Sequence, residues 1–130
     1  MGTVRRSWHV EGPNGDAPSI VPVDIVADPR KFSEYVLVPD HPKGKDRIFV
    51  ARLGYRPRSE EDARVLAQTY VSQALERIAA GEYAVGDGDE FGQRVTIEIE
   101  LRGTTILSGW ILQPGGTLWL VTPFAGFARR

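Results

Sequence analysis

Apolar and polar positions follow two different periods along this chain, and the change of period divides it. From Ser59 to Ala80 the apolar residues Leu66, Tyr70, Val71, Ala74, Leu75 and Ile78 recur at helical spacing, which lays them along one face of a long helix. Ser59 followed by Asp62 is a capping-box pattern at its start, and Gly81 is a stop at its end. The acidic, glycine-rich stretch from Gly86 to Glu90 reads as a solvated loop, and beyond it the period falls to two. Val95, Ile97, Ile99 and Leu101 alternate with Arg94, Thr96, Glu98 and Glu100, the pattern of a half-buried strand. Arg102-Gly103 then turns the chain into Thr104 to Gln113, and Pro114-Gly-Gly116 turns it into Thr117 to Phe124, predicting a three-stranded antiparallel meander. The last two strands are apolar on both faces, so both sides of the sheet are expected to be covered, one of them by the long helix.

The first half is less regular. Two β-leaning pieces, Ser7 to Val10 and Ile20 to Val26, flank a run of turn formers from Glu11 to Pro18, and Pro22 marks the second as an edge strand or extended arm. Asp28 as N-cap, Pro29 at the first helical position, and Phe32, Tyr35 and Val36 on one face predict a short helix that ends before Pro39 and Pro42. Ile48, Phe49, Ala51 and Leu53 alternate with Arg47 and Arg52 ahead of Gly54, predicting a second short helix with a strand as the alternative. Together these elements make an α+β fold, with short N-terminal helices and one long helix packed on a three- to four-stranded antiparallel sheet. Residues 1–27 read as an N-terminal extension or edge strand, and residues 28–130 as a single domain.

Composition narrows the chemistry. The chain has 130 residues, room for one core, and its zero cysteines exclude disulfides, zinc ribbons, iron–sulfur clusters and thiol catalysis. With only His9 and His41 a histidine metal cage is excluded too, and no metal or cofactor is expected. Neither a membrane span nor a signal peptide is expected, which points to the cytoplasm, and nothing in the sequence signals DNA binding. The net charge of −1 hides an asymmetry. Between His41 and Arg58 six cations (Lys43, Lys45, Arg47, Arg52, Arg56, Arg58) face one acid, Asp46, for a net +5, whereas Glu82 to Glu100 carries six acids against Arg94, for a net −5. Such polarity suits a polyanion such as RNA on one face; the alternative is that the charges pair within the fold or solvate its surface.

His41 sits between Asp40 and Pro42, next to Lys43 and Lys45. An imidazole passes protons near neutral pH, and adjacent cations stabilise charge on a phosphoryl oxygen, which are the parts a metal-independent ribonuclease needs. The other reading makes Asp40 and His41 a turn device that pins the loop by hydrogen bonds. Thr122, in the apolar run Leu120 to Phe124, has a hydroxyl that either bonds the backbone or faces a cleft. Trp110 and Trp119 default to core packing, with base stacking as the alternative. No nucleophile-elbow, Walker, dinucleotide or zincin pattern is present.

The segment Asp28 to Phe49, followed by Leu53-Gly-Tyr55, Phe91-Gly-Gln-Arg94, Gly109-Trp-Ile111 and Leu120-Val-Thr122, resembles an uncharacterised bacterial domain family. The family's hallmark is a Tyr-Leu-Leu-Asn-Pro-x-His-Pro motif, and the resemblance spans about residues 28 to 124. It implies a toxin-like protein with a cognate small antitoxin or immunity-like partner, and an element order similar to the barnase–colicin–RelE class of ribonuclease folds. Carried over by position, the family's histidine falls on His41, its helix lysine on Arg47, its aromatic-glycine pair on Phe91 and Gly92, and its strand threonine on Thr122. Val38 replaces the family's Asn, and Arg47 replaces a Lys; arginine keeps the charge but is a poor proton carrier. The leading expectation is therefore an endoribonuclease with His41 as general acid/base, Arg47 and Lys45 stabilising the phosphate, Thr122 positioning substrate, and Lys43, Lys45 and Arg52 binding RNA. The competing expectation is a non-catalytic protein-interaction module.

Overall fold

The computed structural model describes residues 4–7, 22, 24–39 and 43–128. Six strands, β1 (Val4–Ser7), β2 (Asp24–Ala27), β3 (Ala84–Asp89), β4 (Gly92–Leu101), β5 (Thr104–Leu112) and β6 (Thr117–Thr122), form one sheet in the order β1-β2-β6-β5-β4-β3. The helix α1 (Glu60–Ala79) and two short π-helical turns, Phe32–Val36 and Arg47–Arg52, complete the α+β fold. The expected meander is β4-β5-β6, and the sheet extends past it on both sides. It is mixed rather than purely antiparallel, because β2 runs parallel to β6.

The helix forms where its stripe and caps place it. The Ser59 hydroxyl accepts the Asp62 N–H at 3.1 Å, but the return half of the capping box is not made. The Asp62 carboxylate instead accepts the Arg56 backbone N–H at 2.7 Å and its guanidinium at 2.8 Å. At the other end Gly81, at φ 73°, allows the Glu82 N–H to reach the Arg77 carbonyl (2.7 Å) and the Gly81 N–H to reach that of Ile78 (3.1 Å), a Schellman closure. Leu66, Tyr70, Val71, Ala74 and Ile78 are buried, whereas Leu75 is only partly covered.

Opposite α1, alternate residues of four strands supply the core: Ile25 and Ala27, Val95 to Leu101, Ile106 and Trp110, Leu118 and Leu120. Ser108 is the one buried polar residue among those described, and it is satisfied twice. Its hydroxyl donates to the Ile97 carbonyl and accepts the Trp110 indole N–H, both at 2.7 Å. The fully buried Tyr70 hydroxyl donates to the Pro123 carbonyl at 2.8 Å, and burial holds its pKa well above the ordinary tyrosine value.

Three expectations change. The short helices are π-turns, closed by Leu37 N–H to Phe32 carbonyl and Leu53 N–H to Ile48 carbonyl bonds, each 2.9 Å. Gly86 to Glu90 is not a free loop: most of it belongs to β3, an edge strand exposed along its whole length. With neither face buried, nothing imposes apolar alternation on β3, so its sequence looks like a loop. Finally, β2 begins at Asp24, past Pro22, and lies inside the sheet between β1 and β6, so the proline does not force it to an edge. The first strand falls at Val4–Ser7; residues 8–10 of the expected piece lie outside the described residues.

Candidate functional site

The basic segment is built around the second π-turn. Gly44, at φ 70°, leads the chain into it, with the Arg47 N–H on the Gly44 carbonyl at 3.1 Å. Phe49 anchors it, fully buried in the cluster that faces α1. From that anchor a chain of rings runs outward: Phe49 to Phe124 (centroids 6.5 Å, 88°), then Phe124 to Phe127 (5.2 Å, 75°), both edge-on. The Arg52 guanidinium lies 5.0 Å over the Phe127 ring. On the turn's other side the Lys45 ammonium sits 4.8 Å from the Tyr35 ring, joining the two π-turns. Arg47 and Lys43 are exposed, Lys43 in the turn just before the helical residues.

The remaining cations of this stretch behave differently. Arg56 is paired with Asp62 (2.8 Å) and Glu61 (3.3 Å), and its guanidinium holds the Asp62 carboxyl below the usual range. Arg58 occupies a strained turn at φ 53°, its N–H on the Leu37 carbonyl at 3.0 Å. From the β4-β5 turn, Arg102 reaches under the segment, donating to the Leu53 carbonyl at 2.6 Å and lying 3.9 Å over Tyr55. Burial raises the Tyr55 pKa, an effect that Arg102 partly offsets.

The expected constellation of His41, Arg47 and Thr122 is not assembled by the described residues. Asp40, His41 and Pro42 lie outside them. Arg47 belongs to the turn on the α1 side of the sheet, whereas Thr122 projects from the opposite side. The reason is a β-bulge: Trp110 pairs with Leu120 but Gly109 pairs with Thr122, so Val121 is an extra residue. Leu118 and Leu120 face the core, and the inserted residue moves Thr122 to the other face, over Gly109. A Cβ on Gly109 would meet the Thr122 Cβ at 3.3 Å, which accounts for a glycine there. Trp110 is core, as its default reading has it, while Trp119 pairs with Val26 and its indole donates to the Gln113 side chain at 2.7 Å. Lys45 and Arg52 each lie over a ring, and those ring partners, Tyr35 and Phe127, were not legible as such. Nothing in the spacing of Tyr35 and Lys45, or of Arg52 and Phe127, signals those contacts.

The charge asymmetry is spatial only in part, since Glu82 and Glu100 line one cavity with Arg102. The acidic turn that carries Asp89 and Glu90 lies where β4 begins, while Arg102 and the second π-turn stand where β4 ends. The strand Gly92–Leu101 separates them by roughly 30 Å at about 3.3 Å per residue. Among the described residues no group of three or more His, Asp or Glu side chains is placed to hold a metal ion, and no helix is long and apolar enough to cross a membrane. No curated protein and no solved structure matches this chain. A family model does match, over residues 22–126, which takes in β2 through β6, the core and the second π-turn; the chain belongs to the family described as Domain of unknown function (DUF6883).

Proposed function

We propose that this protein binds RNA at the second π-turn and cleaves it without metal, as a toxin-like endoribonuclease. One observation supports the reading above the others: Lys45 and Arg52 sit over aromatic rings, and among the described residues no ion pair to a carboxylate is seen for either. A ring orients a cation without cancelling its charge, so the turn keeps a positive field directed at solvent, to which exposed Arg47 adds. In the proposed reaction His41, two positions before Lys43 in the sequence, takes the proton of a 2′-hydroxyl as its oxygen attacks phosphorus. The P–O5′ bond breaks, the proton passes to the departing 5′-oxygen, and a 2′,3′-cyclic phosphate remains. Arg47 and Lys45 stabilise the added charge on the phosphoryl oxygens, and Lys43 and Arg52 hold neighbouring phosphates. Thr122 takes no part, because its side chain is on the other face of the sheet.

That same displacement of Thr122 favours a second reading, a protein-interaction module without catalysis. Incubation of the purified protein with total bacterial RNA and transfer RNA in EDTA, beside His41→Ala, separates the two. Cleavage by the wild type that disappears in the variant supports the nuclease. Intact RNA with a folded wild type overturns it and leaves the interaction module, whose partner is then sought among small acidic proteins of antitoxin or immunity type.

A further inference from the structure

Arg52 does more than carry charge. With Phe127 it lines an open cavity of about 390 Å³, to which Gly103, Thr104, Thr105 and Ala128 also contribute. Among the described residues that lining has one cation, two hydroxyls, an aromatic ring and small residues, and no carboxylate. Phe127 is 42 % exposed, yet its position is fixed from behind. Its edge contact with Phe124 continues to buried Phe49, and the surrounding backbone is stitched to β5. The stitches are Ala125 N–H to Leu107 carbonyl (2.8 Å), Leu107 N–H to Gly126 carbonyl (2.8 Å), Ala128 N–H to Thr105 carbonyl (3.2 Å), and a bridge between Ile106 and Phe127. A ring held in this way loses little conformational freedom when something stacks beside it.

We infer that this cavity is a subsite for one unstacked nucleobase, and hence that the RNA substrate is single-stranded at this point. The inference rests on the RNA reading above and adds the form of RNA taken. A planar heterocycle stacks on the Arg52 guanidinium, extending the pile that Arg52 begins on Phe127, while the Thr104 and Thr105 hydroxyls meet its polar edge. The exposed Arg47 on the same turn serves the phosphate. Bases in a duplex are stacked on one another and cannot enter, so the cavity selects strands, loops or ends over helices.

The test is fluorescence anisotropy with labelled 2′-O-methyl oligouridine and oligoadenosine strands, which lack the nucleophilic hydroxyl and so survive the titration, against a 2′-O-methyl duplex of equal length. The wild type is expected to prefer the strands. Phe127→Ala is expected to weaken strand binding about 5- to 100-fold, the range set by loss of one stacked base, and to leave duplex binding within about twofold. Phe127→Leu keeps an apolar contact with Phe124 but has no flat face; it is expected to lose strand affinity like the alanine variant, and Phe127→Trp to retain it. If the wild type binds RNA but folded Phe127→Leu matches it on single strands, the base subsite is wrong and the RNA reading stands. If the folded wild type binds neither strand nor duplex, both fall.

Discussion

Arg52 and Arg56 are neighbours in sequence and opposites in use. Arg56 is held by Asp62 and Glu61 beside the start of α1, where its charge is balanced by carboxylates and serves to fix the chain's entry into the helix. Arg52 is held by Phe127, where no carboxylate among the described residues pairs with it and its orientation is set by a ring rooted in the core. The difference lies in the partner and not in the residue type. A count of cations along the chain treats the two alike, and so overstates the charge available to a ligand and misses where it is concentrated.

The comparison is broken most severely at its shared foundation. Phe49→Ala removes the buried anchor of the ring chain, and stability is expected to fall by about 3–5 kcal/mol in urea unfolding, with RNA binding lost alongside. If binding survives in a folded Phe49→Ala protein, the ring chain does not position the cations. A smaller and cleaner effect comes from treating the two kinds of arginine separately. Arg47→Ala and Arg52→Ala are each expected to reduce the salt dependence of RNA affinity by about one released counterion while leaving the melting temperature in place. Arg56→Ala is expected to do the reverse, and equal salt slopes for Arg52→Ala and Arg56→Ala contradict the distinction.

The smallest effects belong to the helix start. Ser59→Ala is expected to cost about 1 kcal/mol of stability and no RNA affinity. Asp62 has a folded pKa below its ordinary value of 3.8, chiefly through the Arg56 hydrogen bond. Its contribution is therefore complete above that ordinary value and is lost as pH falls through the folded one. Solvent screening keeps the contribution of this exposed pair small, and Asp62→Asn is expected to flatten the acid limb of the stability profile slightly. An unchanged limb excludes the pair as its source.

What was legible in the chain follows the same division between residues fixed by burial and residues fixed by particular partners. The α1 stripe and the β4 alternation are repeated patterns created by one buried face, and both are present in the structure. β3 is exposed on both faces and carries no such record. The π-turns contain too few residues for a period to distinguish them from α-helix, since the difference is a single hydrogen-bond step. Thr122 illustrates the strictest limit. Alternation from Leu118 and Leu120 assigns it to the core face, and one inserted residue, Val121, reverses that assignment. Lys45 and Arg52 were legible as cations of a basic segment, but Tyr35 and Phe127 meet them only through the tertiary fold.

The length of β4 has a consequence for how the molecule moves. Asp89 and Glu90 stand at one end of β4 and the basic turn at the other, so the two form the tips of a lever arm about as long as the strand. If RNA is the ligand, its field repels the first tip and attracts the second, a torque that favours approach with the basic turn leading.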